Sequence, residues 1–453
     1  MEQPIPNPGE APLSISFAEA FRFWLKLGFI SFGGPAGQIS IMHQELVERR
    51  RWISEGRFLH ALNYCMVLPG PEAQQLATYI GWLMHRTWGG IVAGGLFVLP
   101  SLFILIALSW IYIAFGNTTL VAGLFYGIKP AVTAIVLQAA HRIGSRALKG
   151  AVPWGIAAVS FVAIFAFNVP FPAIVIAAGI IGAIHGRIAP GAYKAGGHGT
   201  GGKKSYGAAL IDDTTPTPPH ALFTWARFTR VAVIGLLLWA IPMAAMTAAW
   251  GWEHTLTQMG WFFTKAALLT FGGAYAVLPY VYQGAVTDFG WLTPAQMIDG
   301  LALGETTPGP LIMVVAFVGF VGGYVKALFG PESLFLAGAV AATIVTWFTF
   351  LPSFIFILMG GPLVETTHGD LKFTAPLSAI TAAVVGVIVN LALFFGYHVL
   401  WPKGFAGNWF GTVDWIAAVI AIGAAAALFR FKRNVIHVIA ACAMLGLLVK
   451  LVA

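Results

Sequence analysis

The 453-residue chain is poor in charge and almost lacks cysteine. Lysine, arginine, aspartate and glutamate make up 9% of it, against roughly 25% in a soluble domain. So few charges cannot cover a water-facing surface of that size, which excludes a soluble globular protein. The two cysteines, Cys65 and Cys442, stand far apart in apolar surroundings, so a disulfide framework and a cysteine-based metal site are excluded. Both are expected to be packing residues. There is no G-x-x-x-x-G-K-[ST] loop for nucleotide phosphates, no dinucleotide fingerprint and no clustered metal or carboxylate set at one interface. A nucleotide-driven pump, a reductase and a membrane enzyme acting on a phosphorylated lipid all lose support. No cofactor and no metal are expected. The opening stretch "MEQPIPNPGEAPLSIS" has no basic segment followed by an apolar one, so no cleavable signal peptide is expected and insertion would rely on the spans themselves.

What the chain has is apolar length. Hydrophobic residues make up 58% of it, and residues 89–115 alone, "GGIVAGGLFVLPSLFILIALSWIYIAF", exceed the ~20 residues that cross a hydrocarbon core. This predicts an all-α polytopic membrane protein, with a bacterial inner membrane as its address and membrane lipid as its surroundings. The net charge of +8 sits mostly in short loops, where it reads as a determinant of orientation. No nucleic-acid partner is expected.

The chain is written twice. "KLGFISFGG", residues 26–34, matches "KAALLTFGG", residues 265–273, at an offset of 239 positions. At the same offset Trp52 meets Trp291, and Pro69-Gly70-Pro71 meets Pro308-Gly309-Pro310. Further on, "FVLPS" (97–101) resembles "TFLPS" (349–353), and "AVTAIV" (131–136) resembles "AITAAV" (379–384). Between the copies, residues 191–220 are rich in glycine, threonine and proline and read as a flexible linker. The expected organisation is a cytoplasmic tail (1–16), a first repeat (17–190), a flexible cytoplasmic linker (191–222), a connecting transmembrane helix (223–256) and a second repeat (257–453).

Loop charge separates the copies. Residues 43–57 carry Arg49, Arg50, Arg51 and Arg57, whereas the matching residues 282–300 contain neither lysine nor arginine. By the positive-inside rule the first loop is cytoplasmic and the second external, so the repeats are expected to be inverted. Three apolar segments lie between the Arg49 loop and the next basic loop at 141–149, and an odd number of crossings cannot return to the same side. The conflict disappears if residues 59–85 fold back at Pro69-Gly70-Pro71, leaving arms of ~18 Å, about half a bilayer. The same demand recurs in the second copy. Each repeat is therefore expected to hold two re-entrant or broken-helix hairpins and about four transmembrane helices.

Inverted repeats with helices broken near the midplane are a plan of secondary transporters, which aim half-helix N-termini at anionic groups. A Pro-Gly-Pro tip ends one helix and can start the next, so Pro69, Gly70, Pro71, Pro308, Gly309 and Pro310 are candidate substrate-binding positions. The pairs Gly33-Gly34 and Gly272-Gly273 permit the close backbone approach of an oxyanion nest. Lys26 and Lys265, each at the same distance before Phe-Gly-Gly, are expected to form a pair of cations serving one anion, since intramembrane charge by default marks function. Snorkelling to the interface is the bland reading of each lysine. Arg22 adds a third candidate cation without a counterpart. Ser31, Gln38, Asn63, Gln74, Gln75, Thr270, Tyr275, Thr306 and Thr307 supply candidate polar contacts, and Glu72 and Glu305 are candidates for proton coupling. For Glu72, capping of its own half-helix is an equally good reading.

Residues 32–82, beginning "FGGPAGQISIMHQELVERRRW", and residues 271–310, "FGGAYAVLPYVYQGAVTDFGWLTPAQMIDGLALGETTPGP", resemble the chromate transporter family of bacteria, in its long two-domain form. The likeness covers both halves and leaves the linker unmatched. It implies an inner-membrane protein, not an enzyme, that exports chromate and so confers chromate resistance. Sulfate or another oxyanion, imported or exchanged, is the alternative substrate. The oligomeric state stays open, a homodimer included.

Overall fold

The computed structural model describes residues 14–32, 34–188, 206–271, 273–366, 374–404 and 410–452. Among these the protein is built of helices, and its one extended pairing is an isolated bridge between Ile53 and Ile211. Seven helices among the described residues are long and apolar enough to cross a membrane. The chain is a multi-pass membrane protein, as its composition predicts.

The first half runs α1 (Phe17–Ile30), α2 (Gly34–His43), a π-helical turn (Gln44–Arg49), α3 (Glu55–Cys65), α4 (Glu72–Phe115), α5 (Thr119–Ala147), α6 (Ala151–Phe167) and α7 (Phe171–Ile188). α1 starts where the Ser16 hydroxyl accepts from the Glu19 N–H, an N-cap that satisfies one of the free donors of the first turn. After α8 (Trp225–Trp250) the order begins again. α9 (Thr255–Leu268), α10 (Ala274–Tyr282), a second π-helical turn (Gln283–Asp288) and α11 (Pro294–Thr306) lead to α12 (Val314–Val325), α13 (Leu334–Thr366), α14 (Thr374–Leu400), α15 (Trp415–Phe429) and α16 (Val435–Val452).

The local backbone repeats with the sequence. Trp52 N–H donates to Leu46 O at 2.7 Å, and Trp291 N–H to Ala285 O at 2.7 Å. Arg50 N–H to Glu45 O and Phe289 N–H to Gly284 O are both 2.9 Å. The two buried tryptophans anchor the turns that bring each chain segment into its hairpin.

α4 is two arms. His85 and Arg86 leave helical φ/ψ, with Arg86 at φ +57°, and the arms return antiparallel. At the crossing a Cβ on Gly81 would lie 2.4 Å from Gly89 O, so only glycine permits the contact. Ser54, at the start of α3, bonds Asp213, and Trp82 O, near the end of the first α4 arm, accepts from His220. Both ends of the α3–α4 hairpin are thus tied to one segment at one end of the molecule. That end also carries Arg49, Arg50, Arg51 and Arg57 and is called the basic end below. At the opposite end Trp110 packs edge-on against Phe335, and Tyr126 bonds Asp414.

The expected flexible linker is only partly described. Residues 206–222 are packed against the basic end, which corrects the expectation for this part. Leu210 N–H donates to Arg51 O, Ile211 N–H to Trp52 O, and Ser54 N–H to Ile211 O, while Ile211 and Ala221 are buried. Three backbone bonds and two apolar anchors outweigh the Gly/Thr/Pro composition. Residues 191–205 lie outside the described residues.

Candidate functional site

The two Pro-Gly-Pro tips meet in the interior, and each is held by the other half. Gly70 N–H donates to Thr270 O at 2.7 Å, and Gly309 N–H donates to Ser31 O at 2.8 Å. Donors and acceptors correspond at the same 239-residue offset, so the bonds are reciprocal. Both glycines have positive φ, +131° and +102°, which disfavours any residue with a Cβ. Ser31 and Thr270, buried at the ends of α1 and α9, turn their hydroxyls back to Leu27 O and Ala266 O at 2.6 and 2.7 Å. Their carbonyls, left free by the helix break, receive the tips.

Two serines complete the crossing. A Cβ on Gly70 would stand 2.2 Å from Ser353 Oγ, and one on Gly309 would stand 2.8 Å from Ser101 Cβ. Both serine hydroxyls are buried and have no hydrogen-bond partner, an expensive condition for a polar group in a membrane interior. Gln38 donates its amide to Gly309 O and to Ser31 O, and Gln75 donates to Pro69 O at 2.8 Å. Gln74 bonds Thr78 at 2.9 Å. The side-chain oxygens of Gln74 and Gln75 are buried without a donor. Polar atoms without partners are thus gathered at two crossed helix breaks.

The carboxylates flank this crossing. Glu72 opens α4 directly after Pro71, makes no capping bond there, and lies 3.9 Å from the position of a Cβ on Gly273. Glu305 accepts from the buried Tyr275 hydroxyl. The Arg142 guanidinium of α5 stands 5.8 Å from the centre of the Tyr275 ring. Thr306 and Thr307 return their hydroxyls to α11 carbonyls. Pro71 and Pro310 precede the helical turns that start again after each break. Gly34 and Gly273 adopt positive φ at the starts of α2 and α10, Asn63 is half-buried on α3, and Gly33 and Gly272 lie outside the described residues.

The lysines are not at the crossing. Lys26 and Arg22 lie on the exposed face of α1 with Phe21, Leu25 and Phe29, while the opposite face buries Phe23, Trp24 and Leu27. Lys265 is half-buried, its ammonium 5.8 Å from the Trp261 ring. The helical repeat explains the separation. Ser31 stands five positions after Lys26, and at ~100° per residue they face about 140° apart. The structure does not bring the two ammonium groups together at the tips.

Sequence reasoning missed Ser101 and Ser353, although "FVLPS" and "TFLPS" marked them as a repeated pair. It also missed Arg142, which sits in a run that reads as a basic loop and is instead the end of α5. Away from the crossing, two ion pairs with buried carboxylates were not anticipated. At the basic end Arg57 pairs with Glu365 at 3.3 Å, and Glu365 also accepts from Tyr79 and from Thr217 of the linker. At the opposite end Lys129 pairs with Asp299 at 3.3 Å, and Tyr112 donates to the same carboxylate oxygen at 2.8 Å.

Comparison with known proteins bears on this geometry. The family model described as "Chromate transporter" matches residues 18–183 and 257–447, both halves of the chain. A chromate transport protein of Pseudomonas aeruginosa is 35% identical over 381 residues, 83% of this chain and 80% of that protein. One of Cupriavidus metallidurans is 28% identical over 94% of this chain and 91% of its own length. A probable chromate transport protein of Synechococcus elongatus is 27% identical over 84% and 85%. No solved structure matches the chain.

Proposed function

The chain belongs to the chromate transporter family, and from that premise we propose that it exports chromate from the cytoplasm across a bacterial inner membrane as a secondary transporter. The observation that carries the proposal is the reciprocal pair of bonds, Gly70 to Thr270 and Gly309 to Ser31. A two-fold relation between halves at a pair of broken helices is what inverted repeats would produce at their interface. The substrate site is the crossing itself, with the Ser101 and Ser353 hydroxyls as donors to the oxyanion and Arg142 as the nearby cation. The four arginines of residues 49–57 support a cytoplasmic location for the basic end. The N-terminus and residues 191–222 then also face the cytoplasm, and the second repeat is inverted with respect to the first.

The driving force follows from charge. Moving one charge through the membrane potential is worth ~2.3 kcal/mol per 100 mV, so a dianion leaving a negative interior gains about twice that. At about 1.4 kcal/mol per tenfold, the potential alone sustains a chromate gradient of roughly three orders of magnitude. Cells making the protein would accumulate less chromate and resist it. The test is chromate accumulation in cells expressing wild type or the Ser101→Ala/Ser353→Ala double variant. Wild type should lower accumulation and the variant should not, and equal accumulation in both would remove the crossing as the site. Excess sulfate that abolished the wild-type effect would instead move the substrate assignment to sulfate.

A further inference from the structure

At the end opposite the arginines a cavity of 810 Å³ opens between the α4–α5, α12–α13 and α14–α15 connections. Its wall includes Lys129, Asp299 and Tyr112, the buried network described above. Asp299 sits on α11, six residues before Glu305, about 9 Å nearer this end at 1.5 Å per residue. Its side chain is 3% exposed, and its second carboxylate oxygen is buried without a donor. The Lys129 side chain, by contrast, is 30% exposed. The base of the cavity thus holds a partly exposed cation, Lys129, whose anion is enclosed and half-satisfied.

We propose that this base is an anion-binding site where Lys129 exchanges Asp299 for a tetrahedral dianion, and Asp299 takes up one proton in the exchange. The balance is simple. The ion pair, the dianion and one hydronium ion from cavity water become a Lys129–anion pair, a neutral Asp299 carboxyl and a water molecule: one O–H bond of the hydronium breaks and one forms on Asp299. Physical necessity drives the coupling, because a buried carboxylate stripped of its counter-ion is costly and neutralises. Tyr112 stays as a donor to the carboxyl in both states. Other titratable groups face the same cavity: Tyr126 and Asp414, bonded at 2.7 Å, Tyr324, His398, and Lys450, 5.3 Å from the Tyr126 ring. The site deepens the export proposal, since it would be the last station before release.

The test uses purified full-length protein in lipid nanodiscs with sulfate as probe, because sulfate keeps its charge near neutral pH where chromate itself takes up protons. Calorimetric titration in two buffers of different ionisation heat reads proton uptake directly. Wild type should take up one proton per sulfate bound at this site. Asp299→Asn should bind sulfate with no proton uptake, Lys129→Gln should lose the proton-linked event, and His398→Asn should keep it. Where a single variant does not fold, the Lys129→Gln/Asp299→Asn double variant, which leaves no unpaired charge, takes its place and should also lose the event. Uptake that persists in Asp299→Asn, or proton-linked binding that persists in Lys129→Gln or in the double variant, overturns the proposal. No gradient or direction enters this measurement, so it can fail while export stands, and export can fail while it stands.

Discussion

Ser101 and Ser353 each follow a proline inside a long helix, Pro100 in α4 and Pro352 in α13. A helical serine ordinarily returns its hydroxyl to the carbonyl four residues back, as Ser31 does here. These two do not, and they remain unpartnered and buried beside the glycine of the opposite tip. A hydrogen bond to a charged group is worth about 1.5–3 kcal/mol. Each serine-to-alanine change should therefore raise the chromate concentration for half-maximal export about tenfold to a hundredfold, read from initial rates in vesicles. Lys26→Ala should leave the same rates unchanged, because its side chain points away from the crossing. The sequence showed both pairs, lysines and serines, in register. It marked the lysines as the more informative because charge is costly in lipid, and only the winding of α1 and α9, which carry the lysines, and of α4 and α13, which carry the serines, decides which residues reach the tips.

At the scale of elements, hairpins and helix contacts follow from small residues. A Cβ on Gly28 would lie 2.1 Å from Leu96 O, the carbonyl that Pro100 leaves without a helical donor. Gly28→Ala should lower the stability of the α1–α4 contact by about 1–3 kcal/mol, the usual cost of overpacking, measured as an earlier thermal transition in detergent. The docked segment 206–222 carries its own pH dependence. His220, bonded to Trp82 O, has its pKa pushed below the ordinary 6.5 by burial, with Arg86 and Arg227 acting in the same direction. The undocked segment then binds protons more readily than the docked one, so docking is fully stable above the ordinary histidine value and is lost as pH falls below it. Limited proteolysis of this segment should accelerate on acidification, and His220→Asn should flatten the response. Composition marked the segment as a linker. It could not show that Ile211 and Ala221 find a buried surface, because that surface is assembled from α3, α4 and α13.

The whole molecule is two similar halves locked at their tips. The two-fold repeat was legible from the 239-residue offset, which needs no side-chain positions, whereas the locking of the tips rests on backbone bonds between the halves that no pattern in the sequence marks. The ion pairs at the two ends were not legible, because Arg57–Glu365 and Lys129–Asp299 join residues 308 and 170 positions apart. In a transporter with alternating access one end opens as the other closes, and here the Asp299 end bears the cavity while residues 206–222 cover the Glu365 end. The central claim is that a chromate dianion passes the crossed tips outward under the membrane potential. It is tested most directly by loading right-side-out vesicles with chromate and following efflux while an inside-negative potential is imposed. Wild-type efflux should accelerate with the potential, and the Ser101→Ala/Ser353→Ala variant should show neither efflux nor acceleration. Efflux that ignores the potential, or that survives intact in the double variant, would contradict the claim.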